Sequence, residues 1–261
     1  MKNFLTKQYI NDKKFKIRHN YLNDEFKDYP KIFKKIEKVI KFNDFTLGFE
    51  VDKFENNFKK LINAKNCIAV GSGTDAIYMS LKCLGLSRGD EVITTPYTFY
   101  STVNAIVQAD CRPVFVDVQG DFNINPELIE KKITKKTKAI IPVHFTGYMT
   151  YMPKLMKISK KYKIPVIEDA CQSILANINK RNSGTWSLAG AFSLHPLKNI
   201  NVWSDGGIIT TNNLKLYKKL LLLRNHGLRT RDTVEICGFN SRLDTFQAVI
   251  GNWLLPKAKQ I

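Results

Sequence analysis

What the 261-residue chain lacks narrows its class before anything it contains. Its five cysteines, Cys67, Cys83, Cys111, Cys171 and Cys237, are dispersed with no CxxC pair, and there are only four histidines. That pattern gives no zinc-site spacing. The opening MKNFLTKQYINDKKFK holds no apolar core of a signal peptide, so reduced thiols and a cytoplasmic location are expected. No apolar run approaches the ~18 residues of a membrane span. Acidic residues are scarce: 23 Asp and Glu against 41 Lys and Arg leave a formal net charge of +18. The lysines alternate with apolar residues at helical spacing, as in KKIEKVIK and KISKKYK, which reads as solvated helix faces. No aromatic–basic platform accompanies them, so nucleic acid is not an expected partner. The positive field suits an anionic, phosphate-bearing substrate instead.

What is present is an alternation of short apolar runs and helical periodicity, with no repeat or Gly/Ser linker. Strands are expected at 67–70, 92–95, 113–117, 139–143, 164–167, 189–194 and 208–211. Helices are expected at 74–84, 100–109, from Pro126, at 153–162 and at 213–223. Ahead of these, a helix is expected around 29–41. Another, at 50–62, places Val51, Phe54, Phe58 and Leu61/Ile62 on one face. The stretch GLRTRDTVEICGFN reads as a loop, followed by a helix at 243–255. Strands alternating with helices of about ten residues imply an α/β fold, a mainly parallel sheet with helices on both faces.

Ligands of such sheets sit at the carboxyl ends of the strands. The runs at 164–167 and 189–194 deliver Glu168, Asp169 and Gln172, and Ser193, His195 and Lys198, to that edge, and one shared crevice is expected. A lysine amine condenses with an aldehyde. Pyridoxal phosphate offers one and serves as an electron sink while its ring nitrogen stays protonated. An opposed carboxylate favours that proton. Lys198 and Asp169 suit these two roles, and an ordinary salt bridge is the other reading of the pair.

GSGTDA at 71–76 follows a strand and opens a helix, where backbone amides and the helix N-terminus attract an anion. Gly73, Thr74 and Asp75 are the expected phosphate contacts. The same residues fit GxGxxA, but Asp90 and Glu91 stand at the entrance of the next strand, not at its exit. A plain tight turn also remains open. Phe99 can stack on a ring or fill the core, and Ser193 can give its hydroxyl to a phosphate. His144, His195 and His226 receive no role.

Taken together, SGTDA, PYTFYST, PVHFTG, EDACQS, SLHPLKN, DGG, RNHG and GFNSRLDTFQA, in that order, resemble the DegT/DnrJ/EryC1/StrS family of pyridoxal-phosphate-dependent nucleotide-sugar aminotransferases. The resemblance runs from about Phe45 to the last residue. It implies the aspartate-aminotransferase-like (type I) fold and a homodimer with shared active sites. It assigns Lys198 to the Schiff base, Asp169 to the pyridine nitrogen and Gln172 to the ring hydroxyl. It gives Phe99 to the ring face, and Gly73, Thr74, Asp75 and Ser193 to the phosphate. Asn240 matches an asparagine that reaches the phosphate of the neighbouring subunit. A lysine at 198, where dehydrating relatives carry histidine, implies transamination, with glutamate donating to a nucleotide-linked 3- or 4-keto sugar. The alternative is a truncated or non-catalytic relative that binds the cofactor without turnover. The implied division is an arm and helix at 1–45, a cofactor-binding large domain at 46–241, and at 242–261 the start of the helix leading to a C-terminal small domain, which is expected to be missing here. Relatives carry roughly 110–130 further residues, a small domain of ordinary size. Cys171 and Phe49 depart from the alanine and proline common in the family.

Overall fold

The computed structural model describes Tyr9 and residues 15–260. Residues 1–8 and 10–14 of the arm expected at the N-terminus lie outside the described residues. Seven strands form the centre: β1 (Asn66–Val70), β2 (Glu91–Thr94), β3 (Arg112–Phe115), β4 (Thr137–Ile140), β5 (Ile167–Asp169), β6 (Ala189–Ser193) and β7 (Gly207–Thr211). β3, β2 and β4 pair in parallel. β5 is parallel to β6, and β7 runs antiparallel to both β6 and β1. Parallel bridges Ile140–Val166 and Val143–Asp169 join the two groups. The order is therefore β3-β2-β4-β5-β6-β7-β1, with β7 alone reversed.

Period-two alternation divides the strand side chains between two helical layers. On one face Ala69, Phe192 and Ile208 pack against α1 (Tyr29–Lys41), α2 (Phe49–Ile62) and α7 (Thr245–Leu254). Val51, Phe54, Phe58 and Ile62 of α2 are all fully buried there, as the helical spacing requires. The other half of this face holds Ile93, Ile140 and Val166 against α5 (Met152–Tyr162). On the opposite face Ile68, Val92, Ala191 and Ile209 meet α3 (Gly73–Lys82), α4 (Ser101–Gln108) and α6 (Leu214–Arg224). Two expectations are corrected. The helix expected from Pro126 is four residues, Pro126–Ile129, followed by a 3-10 turn. The loop after α6 contains a hairpin, Leu228–Thr230 with Thr233–Val234, made of residues of high strand propensity.

β1 is an edge strand, and buried edges need covering. Ala69 directs its N–H to Glu55 Oε1 of α2 at 2.8 Å and its C=O to Arg224 Nη1 of α6 at 3.1 Å. Glu55 and Arg224 also pair with each other, and both are under 10% exposed. The ion pair thus replaces the missing neighbouring strand. Removing one partner leaves the other charge buried without compensation. Arg224→Met is expected to lower the unfolding free energy by about 3–5 kcal/mol, measured by urea denaturation; a loss below about 1 kcal/mol, the scale of an exposed pair, would show that the pair is not what holds this edge.

Candidate active site

One cavity of about 280 Å³ opens at the carboxyl ends of β5 and β6, beneath the N-termini of α3 and α4. Gly73, Thr74, Phe99, Asp169, Gln172, Ser193 and Lys198 all line it, joined by Ser72, Thr102, Cys171, His195 and Asp205. Asp75 and Asn240 do not. Asp75 accepts a hydrogen bond from the Ser241 hydroxyl at 2.8 Å, and Asn240 is exposed in the segment bridged to Asn225.

Asp169 is the last residue of β5 and is 6% exposed. Its Oδ2 accepts from the Thr102 hydroxyl at 2.7 Å and its Oδ1 from the Cys171 N–H at 3.2 Å. Thr102 lies in the first turn of α4, and its hydroxyl also meets that of Thr98 at 2.8 Å. Lys198 follows β6 through a turn closed by its own N–H to the His195 carbonyl at 2.8 Å. Cys171 lies close enough to both groups to feel them. Burial, and then the Asp169 charge, push its thiol well above the ordinary range against the opposing pull of Lys198. The thiol is therefore a neutral wall. Burial lowers the His195 imidazole below its ordinary value; Asp205 opposes that and Lys198 adds to it. Its Nδ1 accepts the Leu197 N–H at 3.3 Å.

The phosphate end is built from backbone. Ser72 caps α3, accepting the Asp75 N–H on its hydroxyl at 3.0 Å, so the helix starts at the cavity wall. A Cβ on Gly73 would lie 2.8 Å from Ser193 Cβ and 3.0 Å from Cys171 Sγ, which only glycine avoids. A helix N-terminus, a serine hydroxyl, a carboxylate and a lysine around one cavity fit pyridoxal phosphate. All five line the cavity, and Gly73, Thr74 and Ser193 could hold its phosphate, Asp169 the ring nitrogen and Lys198 the aldehyde. Phe99 is 57% exposed at the mouth with its ring 4.3 Å from Tyr100, so it is not a core aromatic.

Glu168 does not share the crevice, contrary to expectation. It follows Ile167 and precedes Asp169 on β5, so it points to the other face, fully buried. There it accepts the N–H groups of Gly184, Trp186 and Ser187 and pairs with His144 Nε2 at 3.0 Å. His144 Nδ1 accepts the Thr150 N–H, so Nε2 carries the proton given to Glu168. Glu168 and His144 are thus a structural pair, and His226 is exposed in a turn at φ 56°. Sequence reasoning passed over Thr102, Cys171 and Asp205. Thr102 lay inside a recognised block, but only the fold brings it to Asp169.

Comparison with known proteins places this geometry. The family model of the DegT/DnrJ/EryC1/StrS aminotransferase family matches residues 27–261, beginning ahead of the first recognised block. A pleiotropic regulatory protein of Geobacillus stearothermophilus is 41% identical over 222 residues, covering 85% of this chain and 60% of that protein. The UDP-2-acetamido-2-deoxy-3-oxo-D-glucuronate aminotransferase of Pseudomonas aeruginosa is 38% identical, covering 87% and 63%. Among solved structures, DesV of S. venezuelae superposes with a TM-score of 0.89 at 32% identity, covering 92% of this chain and 65% of that one. NtdA of Bacillus subtilis, with bound cofactor PMP, gives 0.84 at 35% identity, covering 91% and 54%. The chain spans about 60% of the length of the curated relatives it matches. With a family model covering nearly all of its residues, and with the Asp169–Lys198 cavity at the strand ends, the chain belongs to the DegT/DnrJ/EryC1/StrS aminotransferase family.

Proposed function

We propose that the protein is a pyridoxal-phosphate-dependent transaminase that moves an amino group from glutamate to the ketone of a nucleotide-linked 3- or 4-keto sugar, for amino-sugar and surface-polysaccharide synthesis. The observation that carries this reading is that Asp169 and Lys198 line one cavity that ends at a helix N-terminus. When bound, pyridoxal phosphate supplies a carbonyl for amines and a ring that takes up an electron pair from the substrate carbon. Asp169, fixed by Thr102 and the Cys171 N–H, would hold a proton at the ring nitrogen. Lys198 Nζ would be the amine that holds the cofactor's carbonyl carbon and the base that moves a proton to and from the substrate carbon. Gln172 would hydrogen-bond the ring hydroxyl, and Phe99 would cover the ring and exclude water. Gly73, Thr74, Asp75 and Ser193 are the family-matched phosphate group; Asp75 acts from outside the cavity.

The reading extends to a homodimer. Tyr97, Phe99 and Tyr100, 47–65% exposed near the mouth, suit coverage by a second subunit, and the exposed Asn240 suits the neighbour's phosphate. The cytoplasm fits five unpaired thiols, and among the described residues no helix is long and apolar enough to cross a membrane. The second reading is a truncated or non-catalytic relative that binds the cofactor without turnover.

Borohydride treatment of the cofactor-loaded protein is expected to leave the cofactor mass on the Lys198 peptide, and none on any peptide of Lys198→Ala; labelling spread over surface lysines would overturn the assignment. Asp169→Asn is expected to keep that label while turnover with glutamate falls by roughly 10²–10⁴-fold; unchanged turnover would remove Asp169 from the chemistry. Added glutamate should discharge the visible absorbance of the loaded wild type if the first reading holds, and leave it untouched if the second does.

A further inference from the structure

The turn that opens α3 is held from behind by a residue to which nothing assigns a role. Ser241 is 5% exposed, and its hydroxyl makes two hydrogen bonds, accepting the Gly71 N–H at 3.0 Å and donating to Asp75 Oδ2 at 2.8 Å. The approach is close: a Cβ on Gly71 would stand 3.3 Å from Ser241 Oγ and 3.0 Å from Asp75 Oδ2. The backbone of Ser241 is itself anchored, its N–H donating to the Arg224 carbonyl at 3.1 Å. One hydroxyl therefore ties the first residue of the 71–76 turn to the third residue of α3. The residues between those two points, Ser72, Gly73 and Thr74, all line the cavity. The same contact takes up an oxygen of Asp75, a carboxylate outside the cavity wall whose negative charge would oppose a phosphate dianion if it turned inward.

We infer that Ser241 is a positioning residue for phosphate recognition, acting through Asp75 and Gly71. It fixes the amides of the turn in register and keeps the Asp75 carboxylate directed away from the anion. Asp75, read from sequence as a phosphate contact, then acts through Ser241 rather than by touch. Preorganised donors bind an anion without the cost of ordering them, so the hydroxyl adds affinity for the phosphate and none for the ring. Asn240, next in the chain to Ser241, is carried by the same anchored segment.

This inference rests on the cofactor reading above, and its test separates the two. Dissociation constants for pyridoxal phosphate and for pyridoxal, which lacks the phosphate, are measured by equilibrium dialysis on wild type, Ser241→Ala, Asp75→Ala and the double variant, with thermal unfolding as a check of the fold. Ser241→Ala is expected to weaken pyridoxal phosphate about tenfold, the scale of one hydrogen bond to a charged group, and to leave pyridoxal within about twofold. The double variant is expected to be no weaker than the weaker single, because both changes break one contact. Equal losses for the two compounds, or losses that multiply in the double variant, would overturn the positioning role alone. If Ser241→Ala does not fold, the near-isosteric Ser241→Cys, whose thiol replaces the hydroxyl as a far weaker donor and acceptor, answers by the same ratio. A wild-type protein that binds neither compound would overturn the cofactor reading, and this inference with it.

Discussion

A buried carboxylate must find donors, and the two that Asp169 finds draw the walls of the site together. The Thr102 hydroxyl can reach Asp169 only because α4 begins over the carboxyl end of β5. That placement brings the PYTFYS segment down over the cavity and sets Phe99 at its mouth. The second donor, the Cys171 amide, turns the chain immediately after β5 and carries Gln172 into the same space. Backbone bonds fix the strand end beneath: the Asp169 N–H donates to the Pro142 carbonyl and the His144 N–H to the Asp169 carbonyl. One charge at the end of a three-residue strand therefore organises β4, β5, α4 and the turn that follows.

Much of this was legible in the sequence, for identifiable reasons. Helices such as α2 carry four buried apolar residues at helical spacing, so their inner faces could be read directly. The site blocks lie at strand ends, where polar residues interrupt apolar runs, and Asp169, Ser193 and Lys198 were all visible for that reason. Glu168 was misread because a strand end does not by itself say which neighbour faces which layer. Alternation sends residues 168 and 169 to opposite sides, and the structure gives the cavity to Asp169. Thr102 and Ser241 were not legible as working residues. Each acts across 67 and 166 residues of chain respectively, through hydroxyls that any surface serine or threonine also carries.

The edge of the sheet explains why RNHG and GFNSR belong with the site although they lie far from Lys198 in the chain. β1 has a strand on one side only, and the other side is satisfied by Glu55 and Arg224. Two residues later the same chain becomes the Gly71 turn, which Ser241 holds. Arg224 and Ser241 are in turn bonded to each other through the backbone. A single anchored segment therefore secures both the last strand of the sheet and the turn it feeds, and displacing either would move the other.

The charges of the cavity give the final reason for this construction. Lys198 and Asp169 carry opposite charges across the pocket, the Cys171 thiol is neutral, and burial disfavours the charged form of His195. No other lysine or arginine lines the cavity among the described residues, so a phosphate bearing ≈ −1.5 to −2 charges would rely on the α3 N-terminus, equivalent to roughly half a positive charge. Asp75 stands in that same first turn and competes for it. A weak positive end shared between a fixed acid and a ligand favours the ligand only if the acid is engaged elsewhere. The Ser241 hydroxyl engages it, which on the proposed reading leaves the α3 N-terminus to the phosphate.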